Sequence, residues 1–197
     1  MRYNFIIGID PSGAYWEGKG TTGYSVFHAP DNRFIELGTI QAAGQVCAEA
    51  YWDKHIKLLE RIIFSQRGKK KSKASKTIVV IEDYFLYAEK AESQINSRME
   101  TSKLIGILQH WCYTHDIPYC MQPAGLVKKR WTDDIMHHKG HLKQKGMRYE
   151  ESVHTRDSMR HVLHFATFRN GDEKNGEWYI WRTSNYGTWL WYERWRS

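Results

Sequence analysis

The sequence contains no long hydrophobic run. No uninterrupted apolar stretch among its 197 residues reaches the length of about 18–20 that a membrane-spanning helix needs. Its first residues also lack the successive basic, apolar and small-residue regions of a secretory signal peptide. We therefore expect a cytoplasmic protein rather than a membrane or secreted one.

Cysteine is also scarce. The three cysteines, Cys47, Cys112 and Cys120, are odd in number, and no pair has the spacing of a zinc finger. Each lies in an apolar stretch, which predicts reduced side chains in the core. The chain also has no internal repeat and no low-complexity tract. Its length is sufficient for one domain with a proper core.

Positive charge is in excess and is concentrated in two runs. The net charge is +7. Arg67 to Lys76 holds six basic residues and no acid, and Lys128 to Arg148 holds seven against two acids. Each run alone is compatible with a solvated loop, but two in one small protein favour a phosphate-binding surface. For His137, His138 and His141, phosphate contact or solvation is favoured over zinc, because no cysteine or HExxH pattern accompanies them.

Two apolar segments end on an acid. The first leads into Asp10 and is followed by a Pro-Ser-Gly turn, and the second, Thr77 to Ile81, leads into Glu82 and Asp83. A predicted helix from about Ala48 to Phe64 provides the crossover that would make these strands parallel. Both acids would then lie at the same edge of the sheet, where open α/β sheets place their sites. Side chains alternate along a strand, so we select Glu82 and expect Asp83 on the opposite face.

The remaining elements complete a mixed sheet with helices on its faces. Segments 24–28 and 33–40 predict two strands that form an antiparallel meander with the first, and segment 117–122 predicts a last short strand. His55 falls within the apolar stripe of the 48–64 helix, so it is predicted to be a core histidine. A long helix from about 93 to 114 has two apolar stripes, which indicates contact with a second copy as well as with the sheet.

A final core helix, from about His154 to Arg169, presents His154 and Asp157 in its first turn. His161 lies one turn further along the same edge, and we expect it either behind the ligands or on the surface. Together with the two strand-end acids, this helix would gather carboxylates that repel each other without cations. Oxygen ligands suit Mg²⁺ or Mn²⁺. Two such ions, about 3.5–4 Å apart, could act on a phosphodiester.

The C-terminal segment is rich in aromatic residues. Segment 178–197 holds five Trp and three Tyr, and its pattern predicts a hairpin formed by 177–182 and 188–194. Burial against the domain is the simpler interpretation, and stacking on unpaired bases is the alternative. We expect one main domain over 1–170, with the extension 171–197 packed on it.

The motifs resemble those of the RuvC family of Holliday-junction resolvases, in the RNase H-like superfamily. The resemblance covers roughly residues 4 to 169, and the order and spacing of its pieces are more specific than any one of them. Those pieces are Gly8-Ile9-Asp10-Pro11-Ser12, Thr22-Gly23-Tyr24, Val80-Ile81-Glu82, Pro123 with Val127-Lys128-Lys129, and His154-Thr155-Arg156-Asp157-Ser158.

The resemblance implies a fold, an activity and a site. The fold is an α/β RNase H-like five-stranded mixed sheet, three antiparallel strands then parallel ones, flanked by helices. The implied activity is resolution of Holliday junctions or other branched DNA by a homodimer, through the 93–114 helix, with two Mg²⁺ or Mn²⁺ ions per active site. The implied catalytic and metal-binding residues are Asp10, Glu82, His154 and Asp157.

Some implied roles leave alternatives open. His154 stands where some members have Asp and others have His; its neutral ring could bind metal, or its charged form could position or protonate the phosphate. Phe85 matches an aromatic that stacks at the junction centre, or it caps the core. Lys128, Lys129, Lys143, Lys145 and Arg148 fall in a basic region expected at the phosphates.

The Arg67–Lys76 run and the Trp-rich tail depart from typical bacterial members, which suggests a divergent, phage-type member. We accordingly expect a DNA-associated protein of a bacterial cell or a phage-infected host. A nuclease acting on flaps or RNA–DNA hybrids, and a junction-binding protein without turnover, remain the alternative functions.

Overall fold

The computed structural model describes residues 3–16, 18–67, 76–84, 99–142, 152–169 and 180–181. Its centre is a mixed sheet of six strands in the order β3-β2-β1-β4-β5-β6. The strands β1, β2 and β3 are antiparallel, β4 and β5 run parallel to β1, and β6 pairs antiparallel with β5. The bounds are β1 Phe5–Asp10, β2 Thr21–His28, β3 Arg33–Gln41, β4 Thr77–Asp83, β5 Tyr119–Pro123 and β6 Ile180–Trp181.

The predicted five-stranded mixed sheet is confirmed, and β6 is an addition to it. This two-residue strand comes from the aromatic extension and pairs Trp181 with Tyr119 and Ile180 with Cys120. It falls within the first arm of the predicted hairpin, whereas the second arm lies outside the described residues. The described part of the extension therefore continues the central sheet, and the rest of the 171–197 prediction stays a prediction.

The helices follow the predicted pattern with two differences. Their bounds are α1 Ala48–Arg67, α2 Glu100–Thr114, α3 Ala124–Arg130, α4 Asp133–His138 and α5 Val153–Phe168. The prediction of one continuous helix over 93–114 is wrong at Met99. This residue has a left-handed backbone with φ 50°, and α2 begins after it. Residues 93–98 lie outside the described part of the chain. In addition, the short helix α4 stands within the basic run Lys128 to Arg148, which on its own was compatible with a solvated loop.

The helix α4 forms because one side chain caps it and another anchors it. The Thr132 hydroxyl accepts a hydrogen bond from the Ile135 amide at the start of the helix, as N-cap residues do. Met136 is fully buried in the core. The basic and acidic residues around these two positions concealed the helix in the sequence.

Alternation along the central strands divides the core into two layers. The odd-numbered side chains of β1 and β4 pack with α1 and α2, and the even-numbered apolar ones pack with α5. The first set is Ile7, Ile9, Val79 and Ile81, and the second is Ile6, Ile78 and Val80. By the same alternation, Asp10 and Glu82 belong to the α5 side, and Asp83 belongs to the other.

Two glycines allow α5 to lie directly on the sheet. A Cβ atom on Gly23 would stand 2.1 Å from the carbonyl group of His154, and one on Gly8 would stand 2.4 Å from the Ser158 oxygen. No side chain fits in that space, so both positions require glycine. This close approach brings the first turns of α5 to the carboxyl ends of β1 and β4.

The described cysteines are free, and Cys112 and Cys120 are buried as predicted. Cys47 differs, because it is only half-buried and its Sγ accepts from the Ala50 amide at the start of α1. Among the described residues, no helix combines the length and apolar character that a membrane span requires.

Candidate active site

Three carboxylates converge at the carboxyl ends of β1 and β4. The parallel register pairs Ile9 with Ile81, which sets Asp10 beside Glu82. Asp157 joins them from α5, and one carboxylate oxygen from each of the three residues lies within 4.8 Å of the others. Asp10 and Asp157 are buried, and the Glu82 side chain is 15% exposed. The structure thus brings together three of the four predicted ligands as a compact acidic group.

The fourth predicted residue, His154, is tied to one of these acids. Its Nδ1 lies 2.7 Å from Oδ2 of Asp10, and its side chain is 42% exposed. This hydrogen bond raises the pKa of His154 above 6.5, since the Asp10 carboxylate stabilises the imidazolium. With Nδ1 engaged, Nε2 is the ring nitrogen that remains for a cation or a phosphate oxygen.

A buried network holds the turn that follows Asp10. The Thr22 hydroxyl accepts from the Ser12 amide at 3.1 Å, and the Tyr51 hydroxyl donates to the Ser12 carbonyl at 2.8 Å. His55 is only 1% exposed, with Nδ1 2.8 Å from the Tyr51 carbonyl and Nε2 2.9 Å from the Thr22 hydroxyl. The prediction of a core histidine is confirmed, and this histidine stabilises the polar turn behind the acid.

The donor pattern of this network is consistent with a neutral His55. Burial lowers its pKa to about 4. Since a carbonyl only accepts, Nδ1 carries the proton and donates to Tyr51, and the Thr22 hydroxyl donates to the unprotonated Nε2. Each hydrogen-bonding group of this network then has a partner, so the network fixes the backbone that carries Asp10.

The two strand-end acids have opposite pKa shifts. Burial raises the pKa of Asp10 above 3.8, the hydrogen bond from His154 opposes this, and the charges of Glu82 and Asp157 add to it. Burial also acts to raise the pKa of Glu82, but the hydrogen bonds and charges of His161 and Lys128 outweigh it and lower the pKa below 4.5. The basic partners of Glu82 therefore outweigh the effect of burial on its carboxylate, and the single histidine at Asp10 does not.

Two basic side chains neutralise part of the acidic group. Lys128, near the end of α3, places Nζ 2.9 Å from Oδ2 of Asp157 and 3.4 Å from Oε1 of Glu82. Arg160 forms an ion pair with Oδ1 of Asp157, and its Nε donates to the Trp131 carbonyl at 2.8 Å. Lys128 was expected at DNA phosphates; in the structure its ammonium contacts the acids themselves.

The acidic group fits a hard divalent cation. Its donors are all carboxylate oxygens, the type that Mg²⁺ and Mn²⁺ prefer. Burial is the main cause of the raised pKa of Asp10, and the charges of Glu82 and Asp157 add to it, so a bound cation would stabilise this carboxylate. Asp10, Glu82 and Asp157 are therefore the residues that would hold such a cation.

Of the other predicted site residues, the structure describes only Lys129. Lys129 is exposed at the end of α3, beside Lys128. Phe85, Lys143, Lys145 and Arg148 lie outside the described residues, as does most of the Arg67–Lys76 run. Their predicted contacts with DNA stay predictions.

Of the two positions expected for His161, the structure has the one behind the ligands, and the sequence did not indicate its partners there. His161 is fully buried, its Nε2 lies 2.9 Å from Oε2 of Glu82, and its Nδ1 lies 2.9 Å from Oε1 of Gln122. The available signal was its position four residues after Asp157, which places both side chains on one face of α5. No local pattern marked Gln122, because it ends an ordinary short strand.

Solved structures of RuvC from Thermus thermophilus share this fold. One, in complex with a Holliday junction substrate, has a TM-score of 0.59 and 14% identity, with 85% of this chain and 98% of that chain covered. A second RuvC structure from the same organism has a TM-score of 0.55 and 14% identity, with 83% and 94% covered. No protein-family model matches the chain, and no curated protein sequence matches it. The chain thus has the fold of RuvC, as its motifs predicted.

Proposed function

We propose that this protein is a divalent-metal-dependent endonuclease that resolves Holliday junctions or other branched DNA. The observation that carries the proposal is the acidic group of Asp10, Glu82 and Asp157, whose ligand oxygens lie within 4.8 Å of one another. The group stands in a fold shared with a RuvC that was solved with a Holliday junction substrate.

In this proposal, the three carboxylates hold Mg²⁺ or Mn²⁺, with two ions per site as the preferred arrangement. When bound, the ions supply Lewis-acid stabilisation of the phosphate and lower the pKa of a water nucleophile. The buried network behind Asp10 fixes one ligand before substrate arrives, and the close packing of α5 fixes Asp157. His154 supports Asp10 through Nδ1 and presents Nε2 to a phosphate oxygen or a cation.

Substrate binding would rely on backbone phosphates. Lys128 and Lys129 lie at the end of α3, and the Lys128 ammonium contacts the acidic group. Lys143, Lys145 and Arg148 belong to the same basic run of the sequence. Such contacts position the nucleic acid without reading its sequence, so affinity should fall steeply with salt. We also propose that two copies associate through the region of α2 and nick opposite strands.

The test is a panel of labelled four-way junctions, flaps, duplexes and RNA–DNA hybrids incubated with Mg²⁺ or Mn²⁺. We expect paired nicks in the junction from the wild type and none from Asp10→Asn, with products mapped at nucleotide resolution. Preferential cleavage of flaps or hybrids would replace the junction as substrate. A mobility shift on junctions without products, over a range of metals, would instead indicate a binding protein.

A further inference from the structure

A histidine with no exposed surface connects one acid of the site to the protein core. His161 of α5 lies between Glu82 at the end of β4 and Gln122 of β5, with both ring nitrogens 2.9 Å from side-chain oxygens. His161 and Gln122 are each 0% exposed. Three separate elements thus meet in one line of polar groups that ends at the acidic group.

The chemistry of the partners fixes the direction of the bond to Glu82. An ionised carboxylate can only accept hydrogen bonds. Nε2 of His161 must therefore carry a proton and donate a hydrogen bond to Oε2 of Glu82. This conclusion does not depend on how Gln122 is oriented. With its oxygen at Nδ1 the ring donates from both nitrogens, and with the amide turned the ring accepts from Nε2 of Gln122.

Turning the Gln122 amide also provides a hydrogen-bond partner for its own buried nitrogen. With the oxygen at Nδ1, the Nε2 atom of Gln122 is buried and lacks a hydrogen-bond partner among the described residues. Turning the amide gives this nitrogen a partner in Nδ1 and leaves His161 neutral with its proton on Nε2. Gln122 then selects the ring tautomer that donates to Glu82.

The donation leaves the two oxygens of Glu82 in different environments. Oε2 is occupied by His161, and Oε1 faces the ammonium of Lys128 at 3.4 Å. The carboxylate is also prevented from rotating, because turning it would break a buried hydrogen bond. Lys128 also contacts Asp157, so Oε1 is the oxygen of Glu82 that lies on the side of the acidic group, whereas Oε2 lies against the buried ring.

We propose that His161 is a positioning residue that presents Oε1 of Glu82 to the divalent cation, with Gln122 holding the ring in place. The inference rests on the proposed function, and it assigns a task to a residue outside the four predicted ligands. A purely structural role would be served by an apolar side chain, since burying an imidazole costs free energy unless its nitrogens are bonded.

The test measures binding of Mn²⁺ alone to the whole protein, by calorimetry or by electron paramagnetic resonance, so it needs no cleavage. His161→Phe keeps a ring and removes the donor, and we expect its Mn²⁺ affinity to fall about 10–100-fold, as for other residues that support metal ligands. His161→Gln keeps an N–H group within reach of Glu82, so it should recover most of that loss. His164→Phe, the same change three residues further along α5, is the matched control and should bind Mn²⁺ like the wild type.

Kinetics on a cleavable junction add a second measurement. His161→Phe should lower kcat, while its KM and its affinity for the junction in EDTA stay at the wild-type values, because the ring contacts a metal ligand and not DNA. If His161→Phe does not fold, Gln122→Met removes the support of the ring and should weaken Mn²⁺ binding in the same direction.

The outcomes separate this inference from the proposed function. Wild-type Mn²⁺ affinity in His161→Phe, or in Gln122→Met where the first variant is unfolded, would overturn the positioning role and leave the nuclease proposal intact. A fall of equal size in His164→Phe would also overturn it, because the effect would then be general to α5. A wild type that neither binds Mn²⁺ nor cleaves any substrate would overturn the proposed function, and this inference with it.

Discussion

Asp10 and Glu82 end neighbouring parallel strands and face the same acidic group, yet they are held in different ways. The backbone after Asp10 is held from behind, because Thr22 and Tyr51 bind Ser12 and His55 in turn bonds to Thr22 and Tyr51. Glu82 is fixed through its own carboxylate, which His161 and Lys128 contact. Asp10 thus has a buried network behind its backbone and a half-exposed histidine at its carboxylate, whereas Glu82 is held by two side chains at its carboxylate.

This difference also distributes charge unequally across the site. The contacts with His161 and Lys128 lower the pKa of Glu82, whereas burial and the acidic neighbours raise the pKa of Asp10. An added cation gains most where negative charge is least compensated. We therefore regard Asp10 as the acid whose charge is best stabilised by a metal ion, and Glu82 as the acid that is already aligned without one.

The largest expected effect is on cleavage. Asp10→Asn and Glu82→Gln each remove one charged ligand, and loss of several kcal/mol of metal-dependent stabilisation corresponds to a rate at least ~10²–10³-fold lower. Single-turnover cleavage of a four-way junction in Mg²⁺ measures this. Both acids should be needed to a similar extent here, because a ligand is lost in either case.

Asp83→Asn is the matched control for that experiment. It removes an adjacent carboxylate that belongs to the opposite face of β4, so cleavage should stay near the wild-type rate. A strong defect in Asp83→Asn together with an active Glu82→Gln would show that the wrong acid of the pair has been assigned to the site.

The backbone support of Asp10 can be tested at Thr22. Thr22→Val keeps the shape and leaves the Ser12 amide and Nε2 of His55 without their buried partner, which should lower the free energy of unfolding by about 1–3 kcal/mol. Urea unfolding in EDTA measures the loss. Thr21→Val changes the neighbouring exposed hydroxyl and should stay within about 0.5 kcal/mol of the wild type. Equal stability of the two variants would contradict the role given to the network.

The sequence predicted the parts of this site that depend on periodicity. Apolar runs ending on Asp10 and Glu82, with a helix between them, implied parallel strands and a shared edge. Alternation then separated Glu82 from Asp83, and the spacing of His154 and Asp157 placed both in one helical turn. These inferences need only local geometry and a connection rule, and the structure has the elements where they were expected.

The parts that were missed depend on contacts between distant side chains. Nothing near Lys128 indicates that its ammonium turns towards Glu82 and Asp157 instead of solvent, since a lysine side chain has several rotatable bonds. The pairing of His161 with Gln122 joins residues 39 positions apart and follows only once α5 lies on the sheet. Likewise, the left-handed backbone at Met99 has no sequence signal, because methionine rarely adopts it.

A smaller effect should appear in stability, where the two acids should respond in opposite directions. In metal-free buffer at neutral pH, Glu82→Gln removes the charge that His161 and Lys128 stabilise and should lower the free energy of unfolding by about 1 kcal/mol or more. Asp10→Asn removes a poorly compensated buried charge and should leave stability unchanged or higher. Denaturant unfolding of both variants beside the wild type provides the comparison.

The pH dependence gives the sign of each contribution. Because the pKa of Glu82 is lowered on folding, this carboxylate stabilises the folded protein above pH 4.5. That stabilisation is lost as the pH falls through the folded-state pKa. Because the pKa of Asp10 is raised on folding, this carboxyl group does not destabilise the folded protein below pH 3.8. Its destabilising effect grows as the pH rises through the folded-state pKa. Both variants should therefore approach the wild type in acid, from opposite sides. A loss of stability in Asp10→Asn at neutral pH would contradict the comparison.

The smallest effect should separate two adjacent lysines. Lys128→Met removes a partly exposed ion pair and should cost less than about 1 kcal/mol in metal-free buffer. The variant should bind Mn²⁺ somewhat more tightly than the wild type, because the ammonium no longer competes for Glu82 and Asp157. Lys129→Met should change neither stability nor Mn²⁺ affinity.

Since both side chains are proposed to contact phosphates, both substitutions should weaken junction binding. Each should also reduce the slope of the logarithm of the binding constant against the logarithm of salt concentration by about one. Calorimetry with Mn²⁺ and salt-dependent junction binding together distinguish the two residues. Identical Mn²⁺ titrations for Lys128→Met and Lys129→Met would mean that the Lys128 ammonium does not compete with a cation. Glu82 would then be stabilised chiefly by the hydrogen bond from His161, and Asp10 and Glu82 would differ less in how their charges are compensated.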